Sequence, residues 1–180
     1  MKETIHMMKK FAALLLVMAM LFPMAAVAEE EAQTVTAEKM FEGMWVTFPN
    51  DGFEMYFPAE WLQVEITEEM LAKGVYYVLA DPNGACAMSI AWHALEEKLD
   101  IDALEAAMVA AYADKAARLN LGNVEAVCYH LPESNALCFA FLDWVDQGLF
   151  TFAFSPADDQ AVCILATLIM NTVRPVEIAE

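Results

Sequence analysis

The sequence predicts an α+β protein: a single antiparallel β-sheet of about six or seven strands flanked by two main helices, following a signal peptide. Three observations predict it. Short β-prone runs are joined by tight turns, and strands joined in that way pair antiparallel. Two segments, one in mid-chain and one near the C-terminus, repeat apolar residues at helical spacing. Finally, 59% of the 180 residues are hydrophobic and 20% charged, so the chain can bury a core instead of remaining disordered.

Residues 1–28 read as a secretory leader. Lys2, Lys9 and Lys10 supply the positive start, and Phe11 to Phe22 form an unbroken apolar run of 12 residues. Pro23 ends it, and Ala26-Val27-Ala28 offers a small-x-small cleavage site before Glu29-Glu30-Glu31. The run is shorter than the roughly 20 residues that span a bilayer, so cleavage after Ala28 and release outside the cytoplasm are expected, with no stable membrane insertion afterwards. An uncleaved anchor is the alternative. The leader takes three of nine basic residues and one of 27 acidic ones, leaving six against 26 and a net charge of −20. Such a chain repels phosphate, which argues against a nucleic-acid partner. Cationic partners are tolerated.

Residues 29–37 form a flexible acidic lead-in, 38–176 a single α+β domain and 177–180 a C-terminal tail. Met44–Phe48 and Phe53–Phe57 flank the turn sequence Pro49-Asn50-Asp51-Gly52 and predict a hairpin. After a kink at Pro58–Trp61, Leu62–Ile66 reads as a short strand. Thr67 opens a brief helix that ends near Gly74. Val75–Leu79 and Ala85–Leu95 are strands around the turn Asp81-Pro82-Asn83-Gly84. In the second of these, Cys86, Met88, Ile90 and Trp92 share one face.

Residues 101–118 carry the strongest helical pattern, with Ile101, Leu104, Met108 and Ala111 in register and Asp102 three residues before Glu105 as a capping signal. Strands follow at Val124–Leu131, Ala136–Trp144 and Leu149–Phe154. Ser155-Pro156 reads as N-cap and first residue of the last helix. Ala161, Ile164, Leu165, Leu168 and Ile169 supply its buried stripe, and Pro175 lies beyond its end.

Several of these stretches together resemble the PsbP-like superfamily, named for an extrinsic subunit of photosystem II. The carriers are Phe57-Pro58-Ala59-Glu60-Trp61, the aromatic strand Phe150–Phe154 running into Ser155-Pro156-Ala157-Asp158-Asp159, and the closing segment Ile169–Pro175. The chain is similar too to short secreted proteins of anaerobic Gram-positive bacteria. The resemblance covers about residues 40–175, by element order more than identity. It implies the fold and a binding or accessory role, carries over no catalytic residue, and implies no photosynthetic function.

Chemistry is sparse. Cys86, Cys128, Cys138 and Cys163 allow three pairings if all are bridged, and Cys128 and Cys138 flank a hairpin turn. Each lies in an apolar run, which favours packing as a free thiol, with bridges as the alternative. His93 and His130 remain after the leader, and a Cys128/His130 pair is the nearest approach to a nucleophile and base. No hydrolase, phosphate-loop or zinc motif accompanies it. Asp81-Pro82-Asn83-Gly84 and Asp143-Trp144-Val145-Asp146 put oxygens on turns but lack the ligand spacing of a calcium loop.

No metal and no cofactor is therefore expected. Among the tryptophans, Trp61 and Trp144 lie beside turns and are the candidates for an exposed ligand-binding surface. The expected function is an exported, non-enzymatic binding or accessory module for a protein, peptide or small-molecule partner. A secreted hydrolase using Cys128 or His130 with a nearby acid, and an envelope-tethered structural protein, are the alternatives.

Overall fold

In the computed structural model, residues 36–144 and 147–176 are described; the leader, most of the lead-in and the tail at 177–180 lie outside them. A short helix α1 (Ala37–Met40) precedes the hairpin β1 (Gly43–Phe48) and β2 (Phe53–Pro58). Then come β3 (Leu62–Gln63), α2 (Glu68–Ala72), β4 (Val75–Ala80) and β5 (Ala87–Ala94). The second half holds α3 (Ile101–Tyr112), β6 (Ala116–Asn120), β7 (Glu125–Leu131), β8 (Ala136–Leu142), β9 (Gly148–Ser155), α4 (Gln160–Met170) and β10 (Arg174–Pro175). Among the described residues no helix is long and apolar enough to cross a membrane.

The main sheet has seven antiparallel strands in the order β3-β4-β5-β9-β8-β7-β6. This is the expected sheet, and the two main helices flank it. The N-terminal hairpin does not extend that sheet; with β10 it forms a second, three-stranded one. The reason is hydrophobic. Phe53 on β2 sets its ring 5.3 Å from Phe150 and 5.8 Å from Phe152, so the hairpin lies on a face of the main sheet and not along its edge.

Strand alternation sorts the faces. Phe150, Phe152 and Phe154 of β9 are fully buried, while Leu149, Thr151 and Ala153 between them are half-buried. Phe139, Phe141, Met88 and Ile90 pair onto the same aromatic face, which the small sheet and α4 cover. Each Phe so buried contributes about 1.5–3 kcal/mol. On the opposite face α3 packs Leu104 against Val127, Tyr129 and Cys138, and Tyr112 stacks on Tyr129 at 4.5 Å.

Three local expectations change. The mid-chain helix ends at Tyr112, and Ala116–Asn120 is strand β6, paired with β7 from Ala116↔Tyr129 to Asn120↔Glu125. Ala-rich residues that favour a helix are overridden there by the open edge of β7. The N-cap of α3 is Asp100, whose carboxylate accepts the Ala103 N–H at 2.8 Å; Asp102 turns instead to Arg118.

The last helix starts at Gln160, not Pro156, because β9 pairs with β5 as far as Ser155 and Asp159 provides the cap, accepting from Ala161 N–H at 2.8 Å. Its buried residues are Val162, Ile164, Ala166, Ile169 and Met170, so Ala161 is exposed and Leu165 and Leu168 are half-buried. The Thr67 cap of α2 is as expected, accepting the Met70 N–H at 3.2 Å.

Candidate functional site

Three loops converge at one end of the main sheet and enclose a cleft of about 620 Å³. The segment between β5 and α3 contributes Leu95, Lys98, Leu99 and Ile101. The β6–β7 turn contributes Asn123, Val124 and Glu125, and the β8–β9 connection Leu142, Asp143, Trp144, Gln147 and Gly148. That volume lies within the roughly 300–1,000 Å³ usual for ligand sites.

The loops are held by specific bonds. Asp143 N–H donates to the Gly148 carbonyl at 3.0 Å and closes the β8–β9 connection. Gln147 is tied twice to Leu95, through its carbonyl to Leu95 N–H at 3.0 Å and through Nε2 to the Leu95 carbonyl at 2.8 Å. Beneath them the Trp92 indole N–H donates to Asp143 Oδ2 at 2.8 Å. Arg118 spans the third loop, with Nη1 at 2.6 Å from Asp102 and Nη2 at 2.6 Å from Glu125. Asn123 Nδ2 donates to the Val173 carbonyl at 3.3 Å.

Trp144 is placed as the sequence suggested, beside a turn and 40% exposed. Its ring lies 5.2 Å from Phe141 and 6.1 Å from Phe53, so the core supports part of the indole and the remainder borders the cleft. Trp61 is not exposed as expected. At 8% it belongs to the main hydrophobic core, because the kink after β2 folds it inward, with Trp61 N–H donating to the Pro58 carbonyl at 3.2 Å. The structure does not bring Trp61 to the cleft. Lys98, Glu125, Asn123 and Gln147 belong to the site and carry no local sequence signal.

Near the cleft a second polar group forms. Tyr76 donates its hydroxyl to Asp51 Oδ2 at 3.0 Å, joining β4 to the β1–β2 turn. Burial raises the Asp51 carboxyl above the usual carboxylate range; the Tyr76 hydrogen bond draws it back and the charge of Asp143 raises it further. The Tyr76 phenol is raised by burial and by the same two carboxylates.

All four cysteines are free thiols. Cys128 lies opposite Phe139 and Cys138 opposite Tyr129, so these neighbours across the hairpin point to opposite faces and do not bridge. Burial pushes Cys86 and Cys138 up to about 11 and Cys128 to about 12. His130 stands two residues from Cys128 on β7, half-buried, and His93 is exposed near the end of β5. A thiol held that high stays protonated at neutral pH, the reverse of an activated nucleophile. Of the two oxygen-bearing turns, Asp81 spends its Oδ1 on Asn83 N–H at 2.8 Å, and among the described residues no group of three or more His, Cys, Asp or Glu is placed to hold a metal.

No family model and no curated protein matches the chain. Among solved structures it is similar to the solution structure of cyanobacterial PsbP (CyanoP) from Synechocystis, at 13% identity and a TM-score of 0.52, over 83% of this chain and 98% of that one. It is similar also to a crystal structure from Bacteroides thetaiotaomicron, at 15% identity and a TM-score of 0.51, over 77% of this chain. The matched part spans 50% of that Bacteroides chain. The chain has a PsbP-like fold.

Proposed function

We propose that this protein is exported and acts as a non-enzymatic binding or accessory module whose ligand occupies the cleft beside Trp144. The cleft carries the reading: an exposed indole, five aliphatic side chains and a few fixed polar groups converge in a volume of about 620 Å³. The leader at 1–28 supports export, and the PsbP-like fold suits an accessory role. Thiols raised by burial count against a cysteine hydrolase.

The test is a fragment screen by NMR on wild type and Trp144→Ala. Ligands that shift the Trp144 indole in the wild type and bind more weakly to the variant are expected. A screen in which every bound fragment ignores the substitution would end the cleft reading. For export, the protein recovered from culture medium is expected to begin at Glu29; retention in the cytoplasm would refute it.

A further inference from the structure

The cleft carries both signs of charge beside apolar side chains, and this narrows its ligand. Among the described residues Lys98 is the only cationic side chain lining it, and it forms no ion pair with them. Glu125 and Asp143 approach from the other two loops. Both carboxylates are pinned, Glu125 Oε1 by Arg118 at 2.6 Å and Asp143 Oδ2 by Trp92 at 2.8 Å. A carboxylate offers about four acceptor sites, so one that is held in place can still take a ligand donor. Leu99, Leu142 and Trp144 also line the cleft and supply apolar surface.

An anion alone would satisfy Lys98 but meet two carboxylates on a chain of net charge −18. A cation alone would satisfy the acids and meet Lys98. We propose that the cleft binds a zwitterion with an apolar side chain, an aromatic or aliphatic amino acid or short peptide. Its carboxylate pairs with Lys98, its ammonium with Glu125 and Asp143, and its side chain lies against Leu99, Leu142 and Trp144. This assignment rests on the binding-module reading above and adds the chemical class of its ligand.

The experiment follows the Trp144 indole N–H of the isotope-labelled protein by NMR, with Trp144→Phe assigning the signal. Four probes are titrated: L-phenylalanine, N-acetyl-L-phenylalanine, L-phenylalaninamide and the neutral phenethyl alcohol. Phenylalanine is expected to bind, with each blocked derivative roughly tenfold weaker, as loss of a charge-assisted hydrogen bond requires. Lys98→Gln is expected to weaken phenylalanine and the N-acetyl compound while sparing the amide; Glu125→Gln does the converse.

Equal binding of either blocked derivative, or insensitivity to both substitutions, overturns the paired-charge assignment. Binding of phenethyl alcohol without phenylalanine also overturns it, and leaves the cleft reading standing. If none of the four moves Trp144, the cleft reading falls as well.

Discussion

The indole N–H of Trp92, on β5, donates at 2.8 Å to the carboxylate of Asp143, just past the end of β8, although β9 lies between those two strands. The bond crosses above Gly148, the first residue of β9, where a Cβ would fall inside the Trp92 ring. The missing side chain of Gly148 is therefore what lets the cleft wall lock onto the sheet.

Gly148→Ala forces Trp92 aside and is expected to destabilise the fold by about 1–3 kcal/mol, the usual range for overpacking. Urea denaturation of wild type and variant measures it. An unchanged midpoint would mean that Trp92 repacks freely and that the Asp143 bond is incidental.

Thr172 is a buried polar side chain of the core. Its hydroxyl accepts the Tyr56 N–H at 2.9 Å and donates to the Ile169 carbonyl at 2.6 Å, so it ties the end of α4 to β2. Thr172→Val removes both bonds and strands the Tyr56 N–H. A loss of about 1–3 kcal/mol is expected in chemical denaturation. A loss below the error of the measurement would show that water replaces the hydroxyl.

Asp51 gives the fold a pH dependence of defined sign. Its carboxyl is raised in the folded state, by burial first, so the folded protein holds this proton more tightly than the unfolded chain does. The resulting stability is fully present below the unfolded value of about 3.9 and is lost as pH rises through the folded value. Asp51→Asn removes that titration. Relative to wild type, the variant is expected to gain stability between pH 4 and 7 and to lose the gain in acid. A difference independent of pH would refute the assignment.

The thiols should be slow. With Cys86 and Cys138 near 11 and Cys128 near 12, a thiol-disulfide reagent at pH 8 is expected to modify the native protein far more slowly than the urea-unfolded chain. Rapid modification of Cys128 in the native state would reopen the nucleophile reading.

The cap of α3 separates two neighbouring aspartates. Asp100→Ala should cost about 1 kcal/mol, because it removes the acceptor of the Ala103 N–H. Asp102→Ala should cost less, since Asp102 lies on the exposed surface with Arg118 as its partner. Equal losses by thermal melting would contradict this distinction.

What the sequence reveals here is what short-range patterning encodes. Phe150, Phe152 and Phe154 alternate with smaller residues, and Asp81-Pro82-Asn83-Gly84 and Pro49-Asn50-Asp51-Gly52 turn the chain where expected, so most of the strands and their antiparallel pairing were legible. Ala116–Asn120 was not, because its strand conformation comes from the edge of β7 and not from its own residues. The place of the hairpin was also hidden, since Phe53 reads the same whether its strand extends a sheet or lies on one. Of the cleft only Trp144 was legible. Lys98 and Glu125 sit in unrelated loops, and nothing local marks that these loops meet.

Strand β10 has a consequence for how the small sheet folds. β10 pairs with β2, Arg174 Nε reaches Glu54 Oε1 at 2.6 Å across 120 positions, and its guanidinium sits 3.8 Å over Trp45. The small sheet is thus clasped by residues far apart in the sequence. Contacts of such long span are slow to form, so the outer side of the β1–β2 hairpin is expected to close after the hairpin itself has formed.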